Sequence, residues 1–208
     1  MNILLHPTYF PSISGFVAFT KADSVLFEVQ DNYQKQTYRN RAYIYGANGR
    51  LLLNVPVKHT HKNRQIFKDI RIANEEDWQT LNWKSIQSAY RSSPFFEYYE
   101  DDFVHLFEKK YKFLIDHNFE CIDTVLNCLE MELDYSKTTN FQEDVSPIND
   151  YRFLANARKE MMFGFEAYPQ VFTEKFGFIR NLSILDLLFN EGTNALNYLQ
   201  SQEIKLVE

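Results

Sequence analysis

The stretch NILLHPTYFP at residues 2–11 decides how the chain begins to fold. Its first four residues form an apolar run typical of a short buried strand, and Pro7 and Pro11 place a turn directly after it. His6 stands at the end of this strand, where open α/β sheets place their ligands. His6 is therefore a candidate general base, with a structural histidine that satisfies its own hydrogen bonds as the alternative.

Strand signals dominate the residues that follow. A helix from Ser12 or Ser14 to about Ala22 is expected first. The apolar and β-branched runs then predict strands at 24–30, 41–45, 51–57 and 66–72, of which the middle two flank the hairpin turn GANG at 46–49. Residues 1–72 are therefore expected to hold most of the sheet.

Helical periodicity takes over after Asn74. Apolar residues at helical spacing predict about three helices over 75–133, and the polar stretch 134–150 reads as a loop with one strand. Near the end, Ser183 and Asp186 have capping-box spacing, and Gly192 can terminate the helix that follows. The pattern predicts an α/β protein with an α+β-like layout: an N-terminal mixed sheet with packed helices and a mainly helical C-terminal half. Residues 1–208 are expected to form one domain, with loop and helices over 134–208.

The composition excludes several classes of function. Of the 208 residues only 6 are glycine, and the chain has no dinucleotide-binding fingerprint, P-loop or nucleophile elbow. No cofactor is identified. Cys121 and Cys128 form neither a disulfide framework nor a metal knuckle, which favours a cytoplasmic location. The sequence shows no signal peptide and no membrane span, and the net charge of −6 argues against nucleic-acid binding.

The charge is distributed unevenly along the chain. Residues 33–71 hold nine basic side chains and one acid, so this segment carries +8 within an acidic chain. A solvated basic face on an edge hairpin is one interpretation, because runs of charge commonly lie on the surface. The alternative is a site for a phosphate- or carboxylate-bearing ligand, which the planar fork of arginine suits well.

The densest part of this segment is YQKQTYRNR at 33–41. If residues 37–41 are extended, Thr37, Arg39 and Arg41 share one face. Cations beside amide side chains suit a phosphorylated or sugar-like ligand. The candidate ligand-binding residues in this block are Tyr33, Lys35, Arg39, Asn40 and Arg41.

Two further histidines have the spacing of neighbours on one strand face. Metal binding by His59 and His61 would require neutral imidazoles and a third ligand. Lys58, Lys62 and Arg64 surround the pair and would repel a cation. No metal site is predicted.

Five segments carry a resemblance to a known family. In order along the chain they are TYFPSISGF (8–16), NYQKQTYRNR (32–41), LLLNVPV (51–57), WQTLNWKSIQSAYRSSPFFEYYEDDF (78–103) and NLSILDLLFNEG (181–192). They resemble the WbqC-like family of bacterial proteins, in particular its shorter form from Bacteroidetes. Members are often encoded with surface-polysaccharide genes, and the family name comes from O-antigen biosynthesis.

The resemblance also implies site residues. Pro7, Tyr9 and Pro11 match the family's opening pattern HQPxYxPWxGY, which makes Tyr9 a candidate ligand-binding residue. In that alignment Leu5 takes the place of the family histidine, and His6 takes the place of its glutamine. Tyr33, Lys35, Asn40 and Arg41 match the family's basic block. The Gly-rich loop of longer members corresponds here to DYSKTTNF at 134–141, which contains no glycine.

Two functions are compatible with these residues. The first is an enzyme of surface-polysaccharide, O-antigen or sugar-nucleotide metabolism, such as a transferase that modifies an amino sugar and holds a small anionic substrate in a basic pocket. The second is a non-catalytic binding or scaffold protein of the same pathway. A homo-oligomeric state is left open.

Overall fold

The structure, a computed structural model, describes residues 1–58, 64–159 and 161–205. Its strands are β1 (Asn2–Leu5), β2 (Ser24–Phe27), β3 (Arg41–Gly46), β4 (Gly49–Asn54), β5 (Tyr135–Lys137) and β6 (Asn149–Asp150). Four of them form a parallel sheet in the order β5-β2-β1-β6, and β3 and β4 form a separate antiparallel hairpin. The predicted α/β class, with mixed strands and packed helices, is confirmed.

Helices cover this sheet and fill much of the C-terminal half. They are α1 (Ile13–Thr20), α2 (Trp78–Tyr90), α3 (Phe96–Glu108), α4 (Leu114–Cys128), α5 (Thr173–Phe176), α6 (Ile184–Glu191) and α7 (Ala195–Ser201). The three longest helices lie within the stretch that the sequence predicts as helical. None of the helices in the described residues has the length and apolar character needed to cross a membrane.

The order of the parallel strands fixes where a ligand site can form. From β1 the chain moves to β2 on one side and later to β5 beyond it, and it returns to β6 on the other side of β1. The strand order therefore reverses between β1 and β6. Crevices at such reversals, outside the carboxyl ends of the strands, are where open α/β sheets bind ligands.

One expected strand is absent from the described residues. Instead of a strand over 66–72, Phe67–Asp69 form a 3-10 turn, and only single bridges flank it, at Ile66, Arg71 and Ile72. Phe67 is fully buried while Ile66 is exposed, so the buried side chains do not follow the alternation that starts at Ile66. Residues 134–150 contain two strands rather than one.

Aromatic rings build much of the core. Phe103 on α3 is 1 % exposed and contacts the rings of Phe10 and Phe189, with centroids 6.1 and 5.4 Å away. The sequence also predicts Trp78 and Leu187 in the core or at the helix–sheet interface, and both are buried. Trp83 is partly buried and stacks on a neighbouring ring of α3.

The cap of α6 is partly as predicted. The hydroxyl of Ser183 accepts from the backbone N–H of Leu185, and Gly192 ends the helix with φ +55. A side chain at Gly192 would also meet the ring of Phe95 at 2.5 Å. Asp186, however, does not complete a capping box: its carboxylate accepts hydrogen bonds from Tyr90 and Tyr168 at 2.8 and 2.6 Å, respectively.

Asp186 is fully buried beneath these tyrosines. Gln170 donates a third hydrogen bond to the carboxylate at 2.8 Å. Burial raises the pKa of Asp186 to about 6, against the opposing effect of the three donors. The carboxylate therefore ties α2, α6 and the segment before α5 together.

We expect Phe103→Ala to lower the free energy of unfolding by about 3–5 kcal/mol, because it removes a ring that is fully enclosed. Urea unfolding followed by tryptophan fluorescence measures this. Tyr98→Ala on the same helix is the control: Tyr98 is 75 % exposed, and its loss should change stability by less than about 1 kcal/mol. Equal effects of the two substitutions would contradict the assigned packing.

The raised pKa of Asp186 makes stability depend on pH. Ionisation of Asp186 is less favourable in the folded chain than in the unfolded one. The stabilisation that the protonated side chain gives to the fold is therefore complete below pH 3.8 and is lost as the pH rises to about 6. Relative to Asp186→Asn, the wild-type chain should lose about 3 kcal/mol of unfolding free energy over this range. Urea unfolding at a series of pH values measures the difference, and parallel profiles for the two chains would contradict it.

Candidate functional site

A cleft lies at the carboxyl edge of the parallel sheet, where the strand order reverses. We call it the carboxyl-edge cleft; its volume is about 280 Å³, and it is lined by His6, Asp31, Gln34, Thr37, Arg39, Phe141, Arg152, Phe153, Ala155 and Asn156. His6 directly follows β1, Asp31 follows β2 by a few residues, and Arg152 follows β6. Three neighbouring strands thus deliver charged or titratable side chains to one place.

Arg39 is the centre of this cleft, although it is only 2 % exposed. Its Nη2 donates to Asp31 Oδ2 at 2.6 Å and to His6 Nε2 at 2.8 Å, and its Nη1 donates to the carbonyl of Asn32 at 3.1 Å. The guanidinium also lies over the ring of Phe67, 5.0 Å from its centroid. These contacts offset the cost of removing a charge from water.

The hydrogen bonds define the state of His6. Because the arginine donates to Nε2, that nitrogen is an acceptor, and Nδ1 carries the proton that it donates to the carbonyl of Glu28 at 3.3 Å. Burial lowers the pKa of His6 well below its ordinary value, and the charge of Arg39 lowers it further. His6 is neutral, and its lone pair is directed at a guanidinium.

Arg152 forms the opposite side of the cleft. It donates to Asp150 at 2.6 Å and to the carbonyls of Gln142 and Glu143 at 2.8 Å each. It also lies 3.9 Å from the buried carboxylate of Glu28. Arg152 therefore fixes the loop after β5 against the end of β6.

A second concave surface carries most of the predicted basic block. We call it the basic groove; its volume is about 410 Å³, and it is lined by Tyr33, Lys35, Gln36, Asn40, Arg41, Asn54, Pro56, Val57, Glu76 and Arg158. Three of these side chains are cationic and one is acidic. Lys35 and Arg41 form no ion pair within the described parts of the chain. The groove thus presents a net positive charge.

The structure separates Arg39 from Arg41, which the sequence places on one face. Residues 37–40 form turns rather than a strand. The buried side chain of Asn118 donates to the carbonyls of Arg39 and Pro7 at 2.7 and 3.0 Å, which fixes this turn against the end of β1. Arg39 consequently enters the cleft, while Arg41 begins β3 and faces the groove.

Both surfaces also contain buried polar atoms that have no hydrogen-bond partner. Among the described residues, such atoms include Asp31 Oδ1 and Arg39 Nε at the cleft and Asn40 Oδ1 and Arg41 Nε at the groove. Buried polar groups are nearly always hydrogen-bonded in folded proteins. Their clustering here indicates capacity for a ligand.

The other candidate residues lie elsewhere. Tyr9 is fully buried and lines neither surface; its hydroxyl accepts from Asn82 at 3.2 Å. The helical segment that contains His117 predicts a surface or interface position for this histidine. His117 is instead fully buried between the rings of Tyr9, Trp78 and Tyr111. His59 and His61, at which the sequence predicts no metal site, lie outside the described residues.

Several residues of the cleft are not predicted by the sequence. Phe141 lies in the polar stretch 134–150 that reads as a loop, Arg152 and Phe153 follow directly after it, and Asp31 lies in the polar residues after the strand predicted at 24–30. The position of Asp31 in the sequence could have identified it. Asp31 comes shortly after a β-rich run, and the carboxyl ends of parallel strands lie at the same edge of a sheet.

The fold and these surfaces define a parallel α/β protein with a polar cleft at the strand-order reversal and a cationic groove beside it. Residues 6–161 match the model of the WbqC-like protein family. The match covers more than half of the 208 residues, and the chain belongs to this family. It includes every residue that lines the cleft and the groove, whereas the segment 181–192 lies beyond it. Searches of curated proteins and of solved structures found no significant match.

Truncation of the two arginines of the block should destabilise the folded chain to very different extents. Arg39→Ala leaves the Asp31 carboxylate buried and unpaired, and should lower the free energy of unfolding by about 3–5 kcal/mol. Arg41→Ala removes a half-buried side chain without an ion partner, and should cost less than about 1 kcal/mol. Urea unfolding of both variants measures the difference. Similar losses would show that the assigned roles of the two side chains are wrong.

Proposed function

We propose that this protein is a cytoplasmic enzyme of bacterial surface-polysaccharide or sugar-nucleotide metabolism, a transferase that acts on a small anionic substrate. The observation that carries the proposal is the convergence of Lys35, Arg41, Tyr33 and Asn40 in one concave groove. Family membership supports the metabolic context, because the family name refers to O-antigen biosynthesis. Modification of an amino sugar is the reaction type that we favour.

The groove would hold the phosphate or carboxylate of the substrate. Arg41 provides a planar fork for two oxygens, and Lys35 adds a mobile point charge. Burial raises the pKa of Tyr33 to about 12, against the opposing charges of Arg39 and Arg41, so its hydroxyl stays a hydrogen-bond donor at neutral pH. Such fixed donors and charges would stabilise negative charge that develops during transfer.

His6 is the proposed catalytic residue, but it can act as a base only when Arg39 no longer donates to it. Its Nε2 accepts a hydrogen bond from the guanidinium at 2.8 Å, so the lone pair is occupied. It could accept a proton from a substrate only after a ligand draws Arg39 away. This dependence would couple ligand binding to base catalysis.

The same contact favours the second candidate function. If Arg39 never releases His6, the histidine is structural, and the protein binds its ligand without converting it. A screen of thermal stability against nucleotides, sugar nucleotides and acyl or aminoacyl donors finds the ligand in either case, because binding stabilises the folded chain. Product analysis with the stabilising compounds then separates an enzyme from a binding protein.

We expect Arg41→Ala to weaken the binding of inorganic pyrophosphate roughly 10- to 100-fold, because it removes a charged hydrogen bond. Arg41→Lys should also weaken binding, since an ammonium cannot reproduce the two-point contact of a guanidinium. Isothermal titration calorimetry at fixed ionic strength measures both.

Arg91→Ala is the matched control for the loss of one positive charge. Arg91 lies at the end of α2, outside the groove, where it pairs with Glu100 at 3.3 Å. Its removal should leave pyrophosphate affinity within about twofold of wild type. Equal weakening by Arg91→Ala and Arg41→Ala would mean that only net charge matters, and the proposed groove would be rejected.

A further inference from the structure

The carboxyl-edge cleft differs from the basic groove in its charge. Arg39 pairs with Asp31, and Arg152 pairs with Asp150 and approaches Glu28, so each arginine has a carboxylate beside it. The groove, in contrast, leaves Lys35 and Arg41 without ion partners among the described residues. A phosphate group would therefore be attracted to the groove, while the cleft suits an uncharged group.

The unpartnered atoms of the cleft specify the kind of group further. Asp31 Oδ1 can only accept a hydrogen bond, and Arg39 Nε can only donate one. A phosphate or carboxylate cannot satisfy the aspartate, and an ammonium cannot satisfy the arginine. A hydroxyl satisfies both, because it donates one hydrogen bond and accepts others. Both atoms are buried, which favours a single small group.

The rim of the cleft adds an apolar surface. Phe141 and Phe153 are 50 % and 42 % exposed, respectively, and both line the cleft. The guanidinium of Arg152 lies over the ring of Phe141 at 5.5 Å and holds it beside the opening. Exposed aromatic rings above polar groups suit a ligand that has an apolar face and hydroxyl groups at its edge.

The size of the cleft sets an upper limit on this ligand. Its volume of about 280 Å³ lies just below the usual range of about 300–1,000 Å³ for small-molecule sites. One six-membered ring with its substituents fits this volume better than a whole nucleotide.

We infer that the carboxyl-edge cleft binds a single neutral, hydroxyl-bearing ring, such as a monosaccharide unit, with its hydroxyl groups contacting Asp31 and Arg39 and Phe153 packing against the ring face. This inference deepens the proposed function, on which it rests for the identity of the substrate. The segment 33–41 lines both surfaces, so one ligand could place its ring in the cleft and its anionic group in the groove.

The test is a titration of the isotopically labelled full chain with methyl glucoside, methyl galactoside and N-acetylglucosamine, followed by NMR. At least one should give saturable shifts at cleft residues, with a dissociation constant in the millimolar range. Phe153→Ala should weaken that binding roughly 3- to 10-fold. N-methylacetamide is titrated in parallel, because an amide can also donate and accept.

Phe176→Ala is the matched control. Phe176 is 45 % exposed and lies on α5, outside the cleft. Its truncation should leave glycoside binding within about twofold of wild type. The inference is overturned if no glycoside gives saturable shifts at the cleft, if N-methylacetamide alone does so, or if Phe176→Ala weakens binding as much as Phe153→Ala.

Failure of this inference is distinguishable from failure of the proposed function. Pyrophosphate affinity depends on Arg41 and should not change in Phe153→Ala, whereas glycoside affinity should not change in Arg41→Ala. Loss of the glycoside response with intact, Arg41-dependent pyrophosphate binding rejects the cleft and keeps the groove. The reverse result keeps the cleft and rejects the groove.

Discussion

The burial of the Arg39 guanidinium is the constraint on which the rest of the site depends. A charge that is 2 % exposed is stable only if it is paired and hydrogen-bonded, and Asp31, His6 and the carbonyl of Asn32 meet that requirement. These partners come from the ends of β1 and β2. Arg39 therefore fixes the segment 33–41 against the parallel sheet and determines which of its side chains remain available to solvent.

This arrangement divides the basic block between two surfaces with different chemistry. Arg39 is paired with the Asp31 carboxylate inside the cleft, whereas Lys35 and Arg41 line the groove and form no ion pair with another described residue. A ligand with a neutral ring and an anionic group would match both surfaces at once. The division also explains why His6 is neutral, since burial and the neighbouring guanidinium both disfavour its protonated form.

The C-terminal segment completes the core, although it lies beyond the part of the chain that matches the family. Asp186 on α6 receives hydrogen bonds from Tyr90 on α2 and from Tyr168 and Gln170. Phe189 on the same helix packs against the rings of Phe96 and Phe103. Without α6, the rings of Phe96 and Phe103 and the hydroxyl of Tyr90 would lose these contacts, so the core needs the segment 181–192.

The sequence by itself determined the local elements. Apolar periodicity placed α2, α3 and α4, the GANG turn placed the β3–β4 hairpin, and Ser183 and Gly192 marked the ends of α6. Each of these signals comes from residues that are close together in the sequence, where steric limits and backbone hydrogen bonds determine the local structure. The excess of cations over 33–71 likewise indicated a basic surface, because charge is a property of composition.

Only the tertiary structure decided which of these residues meet. The short strands β5 and β6 carry little apolar signal of their own and exist because they pair with β2 and β1. Arg39 and Arg41 face different surfaces because Asn118, far along the chain, holds the turn at residues 37–40 through the carbonyl of Arg39. Asp186 does not complete the capping box of α6, because its carboxylate instead accepts hydrogen bonds from Tyr90 and Tyr168. In each case the deciding contact joins residues far apart in sequence. Burial strengthens that contact, and the local sequence pattern does not predict which residues become buried together.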